Sequence, residues 1–501
     1  MNLSIPAQRI TSLAVPALVA AVALVGAGEL VAAQNMKVVW AIVAAAGGLL
    51  LLYASGNPRL FCLWALMVVI PLDASKRLGA VVAKMGGENS FRFELCDIFI
   101  LGLLAYQLRD VWTLRRPGLR IPRITWFYVI ILVYCSWAVF FGTYRTTAAH
   151  EMFRMMKLAV LFIVVANELT TLPRIVHAAV ALLAGVFLQE MVGFVQFAKQ
   201  GSLGLTFLGE TGSGTLDQLA ADSLNDAKVF RVGALLLHPN IYGAFLACML
   251  PFAAGLFLVD RRVWYRVFYL LVLLGGMANL VMSQSRSGWL SCAVALAVLG
   301  ALMARRDRVK RRIVRPAIAA AVLTLGVLLA FAGPIATRLL DSNPIAIDGR
   351  IEYARTAWGM IRAKPIFGWG LNSYVFEAPA FTRWGARGAK EFYEKSKNWL
   401  PPVHNIYLLW WSELGVIGLL MHLTLIGWMI RTAVRNLRVE SDMLFAINIA
   451  CIVGIVALLI DGMLSFTLRI NSVLRDVWVM AALIYAVRYW RLANPSEPLP
   501  T

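Results

Sequence analysis

The sequence predicts an all-α polytopic integral membrane protein with roughly 12–14 transmembrane helices and one large, partly helical loop outside the bilayer. Three observations carry this. The 501 residues are 60% hydrophobic and only 15% charged, where soluble chains hold about 25% charged residues. Apolar runs of spanning length, about 20 residues, recur along the whole chain. Most of the excess of basic residues falls in gaps between runs on one side, as in cytoplasmic loops. The runs fall near 12–31, 37–54, 59–72, 95–108, 124–142, 153–167, 174–196, 234–258, 265–282, 287–304, 314–333, 404–430, 443–461 and 472–490. The third and fourth are short for a bilayer and read as tilted or re-entrant.

The formal charge is +20, from 47 Lys and Arg against 27 Asp and Glu. Most of the excess sits in "RDVWTLRRPGLRIPR" (109–123), "RRVWYR" (261–266) and "RRDRVKRRIVR" (305–315). Membrane topology accounts for that bias, so no nucleic-acid partner is expected; membrane lipids are. With these loops inside, both termini are inside, and the outside segments are about 73–94, 143–152, 197–233, 283–287, 334–403 and 462–471. The six cysteines are scattered and form no CxxC pair, which reads as small buried hydrophobes rather than a metal site. The first apolar run lacks a short h-region with a cleavage pattern, so no cleavable signal peptide is expected.

Loops this long between spans are more often functional than not, and 334–403 runs for about 70 residues. Within it, Ile351, Ala354, Trp358 and Ile361 recur at helical spacing, predicting an amphipathic helix along the membrane face. "KPIFGWG" (364–370) then ends that helix.

Two motif matches fail on inspection. "GETGSGT" (209–215) lacks the lysine of a phosphate loop, and "HEMFR" (150–154) has arginine where HExxH needs its second zinc ligand. No carboxylate cluster suits a cation, so no metal or cofactor is expected. What remains is a set of arginines and one histidine on the outside: Arg231, Arg286, Arg350, Arg355, Arg362 and His404. Single arginines there can simply snorkel. Several facing one aqueous boundary suit a phosphorylated, lipid-linked anion, which guanidinium grips bidentately.

In "VHNIYLLWWSELGVIGLL" (403–420), a turn of about 100° per residue places Trp411, Gly415, Gly418 and His422 within about 40° of His404. That stripe predicts a smooth path for a neighbouring helix or a lipid chain, roughly 16–21 Å below a titratable imidazole at the surface. Glu190 and Glu413 also lie in apolar runs, Glu413 on the opposite face from His404. Buried acids of this kind can mark an ion path, so a transporter is the reading from another class.

At these residues the sequence resembles the O-antigen ligase and O-antigen polymerase superfamily (WaaL and Wzy types). His404, Asn405, Gly415 and Gly418 meet the ligase pattern of His, then Asn, Ser or Gln, nine residues, and Gly-x-x-Gly. Arg286 and Leu290 meet Arg-x-x-x-Leu, and "RVGALLLHPNIYG" (231–243) and "GRIEYARTAWGMIRAKPIFGWGLNSY" (349–374) look like further family segments. The resemblance spans about 230–430. It implies a GT-C-like glycosyltransferase, independent of metal and cofactor, in the bacterial inner membrane. It moves a glycan from undecaprenyl pyrophosphate to a hydroxyl on the periplasmic face. His404 is then the catalytic base, and Arg286, Arg350 and Arg231 bind the pyrophosphate. Residues 1–230 form N-terminal transmembrane helices, 231–430 the catalytic core with its periplasmic loop, and 431–501 the C-terminal helices and a cytoplasmic tail. A ligase gives the glycan to lipid A–core, a polymerase to another lipid-linked repeat. The polymerase pattern of Arg, ten residues and Gly is met once, by Arg338 and Gly349, and missed at Arg231, since Gly243 is twelve residues on. The ligase branch is therefore favoured.

Overall fold

The computed structural model describes residues 56–82, 87–210, 230–306, 344–382 and 402–494, with short pieces at 47–48 and between 318 and 336. The apolar run at 12–31, nearly all of 37–54 and most of 314–333 lie outside these residues. So do Arg338, most of "GETGSGT", the basic run from 307 to 315, and the loop residues 383–401.

Twelve helices of more than one turn are described: α1 (Pro58–Val69), α2 (Leu95–Trp112), α3 (Arg123–Phe141), α4 (Arg145–Glu168), α5 (Leu172–Lys199), α6 (Pro239–Val259), α7 (Val263–Met282), α8 (Arg286–Ala304), α9 (Pro344–Ala363), α10 (Ile406–Arg435), α11 (Asp442–Asp461) and α12 (Asn471–Ala493). Seven of them, α3, α5 to α8, α10 and α11, are long and apolar enough to cross a membrane. The fold is an all-α, polytopic membrane architecture. A two-stranded hairpin, β1 (Ser75–Leu78) with β2 (Phe91–Glu94), is the one sheet among the described residues, with Ser75 opposite Glu94 and Leu78 opposite Phe91.

Helices α6 and α11 form the centre. Both are apolar on every face and buried along nearly their whole length, as expected of a helix enclosed by others. Around α6 pack α7, α8 and α11. Near their first turns α6 and α8 touch backbone to backbone: a Cβ on Gly288 would lie 2.8 Å from the Gly243 carbonyl carbon. Glycine at both positions lets the two helix starts come together.

Three expectations need correction. The run expected at 234–258 becomes helical only at Pro239. Its first residues are irregular, because the side chains of Gln196 and Gln189 on α5 bind the backbone N–H groups of Ala234 (2.9 Å) and Leu235 (3.0 Å). Helix α9 is longer than a single amphipathic stretch, and its stripe is divided: Ile361 is buried, whereas Ile351 and Trp358 face outward. The face turned toward the protein is Glu352, Thr356, Ala357, Met360 and Ile361, since α9 packs on α10. Third, α10 is not one continuous cylinder. Gly415 has φ 66° and ψ −177°, which breaks the helix and disrupts the stripe drawn through His404, Gly415 and His422.

Candidate active site

The helix starts that carry the candidate residues are each closed by a side-chain cap. His238 Nδ1 accepts from Asn240 N (3.0 Å) at α6, Ser285 Oγ from Gly288 N (3.2 Å) at α8, and Asn405 Oδ1 from Leu408 N (2.9 Å) at α10. Capping satisfies an orphaned donor at each start and leaves the partial positive end of the helix in place. Arg231 ties the first two starts together. Its Nη2 donates to Asn240 Oδ1 at 2.6 Å, and its Nε and Nη2 reach the carbonyls of Ser283 (3.1 Å) and Gln284 (3.4 Å) in the α7–α8 turn. The start of α10 is tied to the end of α11: Ile406 N donates to Gly462 O (2.8 Å) and Asn405 Nδ2 to Met463 O (3.0 Å). Ser287 of α8 hydrogen-bonds Asp461 at that same end.

His404 lies in this junction, half-buried between two rings. Tyr353 of α9 stacks on it at 5.8 Å and 17°, and Phe466 meets it edge-on at 5.3 Å. Its Nδ1 is buried without a hydrogen-bond partner among the described residues. Burial, with the charge of Arg350 adding to it, lowers its pKa to about 4. The ring is therefore neutral at pH 7 and keeps a lone pair for a proton.

The arginines expected from the sequence gather here. Arg350 on α9 keeps one side exposed, while partial enclosure of its guanidinium and then the charge of Arg286 lower its pKa, Asp461 acting in the opposite sense. Arg286 is the first residue of α8, and Arg231 hydrogen-bonds the turn just before it. Arg355, one turn on from Arg350, is exposed and is not among the charges that act on His404. One residue was not singled out from the sequence. His238 carries a pKa lowered to about 3 by burial and then by Arg231, His404 and Arg350, which places it in the same cluster. Its signal was the His-Pro-Asn start of α6, visible only as a helix cap until α10 and α9 are brought beside it.

The loop after α9 is fastened to the break in α10. A Cβ on Gly415 would fall 1.9 Å from the Ile366 carbonyl oxygen, and one on Gly368 would fall 2.4 Å from the Glu413 carbonyl oxygen. Val416 N donates to Pro365 O (2.9 Å), Trp369 N to Ser412 O (3.1 Å) and Gly370 N to Glu413 O (2.7 Å). The carbonyls and N–H groups freed by the break are thus paired with the loop rather than left bare. The glycine accommodates "KPIFGWG", not a lipid chain.

Glu413 is the second fastening. Its carboxylate accepts from Arg469 Nη1 (2.8 Å), Asn372 N (3.2 Å) and Tyr374 N (3.2 Å). Asn372 also accepts from Arg469 Nη2 (3.0 Å) and donates to Glu88 O (2.8 Å) and Thr147 O (3.1 Å). Arg469 reaches Glu151 at 3.6 Å, and Glu151 pairs with Arg154. The arginine that spoils a zinc motif in "HEMFR" is thus the partner of that motif's own glutamate. A cavity of about 70 Å³ lies beside this network, lined by Arg154, Arg469, Trp410 and His422 among others. His422 stacks on Trp410 there, and so does not share a face with His404 across the break.

Glu190 is fully buried against Gly275 and Gly276, and neither carboxylate oxygen has a hydrogen-bond partner among the described residues. The described residues hold one group with metal-ligand spacing, Glu94, Cys96 and Asp97. Its carboxylates are already engaged by Lys157 (2.6 and 2.7 Å) and Arg475 (3.1 Å), so they fit ion pairing rather than a cation.

No curated protein matches the chain. Residues 268–423, about a third of the length, match the family model Wzy_C, described as O-Antigen ligase. That stretch contains α8 with Arg286, α9 with Arg350, the fastened loop, and His404 with the glycine break. Over those residues the chain is similar to the O-antigen ligase family, and the match does not distinguish ligase from polymerase.

Proposed function

We propose that the protein transfers a glycan from undecaprenyl pyrophosphate to a hydroxyl at the periplasmic face of the bacterial inner membrane, ligating O-antigen to lipid A–core. The observation that carries this reading is the neutral His404 ring held beside Arg350, with Arg286 and Arg231 in the same junction. In the transfer, the acceptor oxygen forms a bond to the anomeric carbon as the bond from that carbon to the pyrophosphate oxygen breaks. His404 takes the proton of the acceptor hydroxyl. The departing undecaprenyl pyrophosphate gains negative charge, which Arg350, Arg286 and Arg231 are arranged to stabilise with guanidinium groups and two helix starts.

The test uses purified protein with a glycan-linked undecaprenyl pyrophosphate, with or without lipid A–core, and products sized on a gel. A single shift of lipid A–core is expected, and its absence from a His404→Ala reaction. A ladder formed from donor alone makes the protein a polymerase. Full activity of His404→Ala removes the base assignment.

A further inference from the structure

We infer that His238 is a substrate-binding residue, donating its Nε2–H to the anionic phosphoryl group of the lipid-linked donor beside His404. The inference rests on the donor reading above and deepens it.

The tautomer follows from the cap. Nδ1 of His238 accepts the Asn240 N–H at 3.0 Å, so that nitrogen holds a lone pair. In the neutral ring the single proton is then on Nε2, which has no protein partner among the described residues. The ring is half-buried, not sealed. Asn240, whose N–H orients the ring, is itself held by Arg231 at 2.6 Å, and Arg231 is held by the Ser283 and Gln284 carbonyls. The donor is therefore fixed in direction before any ligand arrives, which lowers the ordering cost of binding.

The electrostatic setting selects the kind of ligand. The charges that reach His238 are those of Arg231, His404 when protonated, and Arg350. A second cation among them would be repelled, and the neutral ring avoids this while still offering a donor. An oxygen anion placed there meets guanidinium charge from two elements and a fixed N–H. A neutral hydroxyl gains only the hydrogen bond. The cap alone does not require an imidazole, for the neighbouring starts are capped by the short side chains of Ser285 and Asn405, which rank among the best cap residues.

The two histidines thus divide the work: His404 keeps a free lone pair and accepts, while His238 has committed its lone pair and donates. Asn in place of His238 tests the division, because it preserves the cap and removes the reach of Nε2. Equilibrium binding of undecaprenyl pyrophosphate to the full-length protein in detergent is measured for wild type and His238→Asn, with undecaprenol as the uncharged control. The expected result is a loss of about 10-fold to 100-fold for the pyrophosphate, the range of a hydrogen bond to a charged group, with undecaprenol binding and the melting temperature unchanged. Equal pyrophosphate affinity in both proteins overturns the inference. So does a parallel loss for pyrophosphate and undecaprenol, which marks a structural role. If His238→Asn does not fold, His238→Ser carries the same test, and failure of both to fold assigns the ring to the cap alone. Wild-type protein that does not bind undecaprenyl pyrophosphate overturns the donor reading itself, a result separable from a change confined to the variants.

Discussion

The Ile366 carbonyl oxygen occupies the space a side chain at Gly415 would fill, 1.9 Å from the Cβ position. The family-pattern glycine is therefore the point where the loop that follows α9, the helix of Arg350, is seated on the helix that follows His404.

Gly415→Ala should be among the most damaging single substitutions in the chain. It combines a φ of 66°, costing about 1–3 kcal/mol for a side-chain-bearing residue, with a collision against backbone that cannot rotate away. Thermal unfolding in detergent should show a lowered midpoint, and transfer should be lost. A variant with wild-type stability and activity would show that the loop does not need this seat.

Breaking the Arg469–Glu413 pair should cost about 3–5 kcal/mol, the usual penalty for stranding a buried charge, since the two side chains are 4% and 1% exposed. Arg469→Met and Glu413→Gln should each destabilise. The double variant Arg469→Met with Glu413→Gln should recover part of the loss, because no charge is then left alone. Additive losses would argue against a shared network.

The acid limb of transfer should lie near pH 4 rather than near the ordinary imidazole value. His404 has its pKa lowered to about 4, so the neutral base persists well below pH 6.5. Stability follows the same sign. The unfolded chain takes up a proton near pH 6.5 and the folded one near 4, so the contribution is present above pH 6.5 and is lost as pH falls toward 4. His238, lowered to about 3, acts in the same direction. A rate profile with its midpoint at 6.5 would show that His404 is solvated in the working enzyme.

Arg350→Ala should lower transfer by about 100-fold or more, the scale of losing a group that stabilises developing charge. Arg355→Ala should stay within a few-fold of wild type, because the charge of Arg350, and not that of Arg355, is among those that act on His404. Steady-state rates for the two variants settle which arginine of α9 serves the site.

Glu190→Gln separates the transferase from a transporter. The carboxyl is fully buried and has no hydrogen-bond partner among the described residues, so the amide fits the same space, and transfer should persist. Loss of surface polysaccharide in cells with full transfer by purified protein would instead give Glu190 a role in transport.

Amino-acid order by itself determined the class of fold and named most residues of the candidate site. Runs of apolar residues at bilayer length require helices, because backbone groups have no other partners in lipid. The pattern from His404 to Gly418, with Arg286 and Arg350, was legible because motif spacing along one chain is a local property. The middle spans were legible for the same reason: the runs expected at 265–282, 287–304 and 443–461 fall within about two residues of α7, α8 and α11.

Tertiary structure alone decided the rest. A helical wheel assumes unbroken α-geometry, so it could not show that Gly415 leaves the helix to admit Ile366, or that His422 turns to the inner cavity. Nor could it tell whether Glu413 was free, for its partner Arg469 stands 56 residues away on another connection. In one dimension His238 was only one letter of "RVGALLLHPNIYG". It became a candidate site residue once the close contact of Gly243 and Gly288 brought the starts of α6 and α8 together and α9 laid Arg350 beside them. Periodicity reports which face of an element is apolar; which elements meet, and therefore which charges share a space, is settled by packing over long sequence separations.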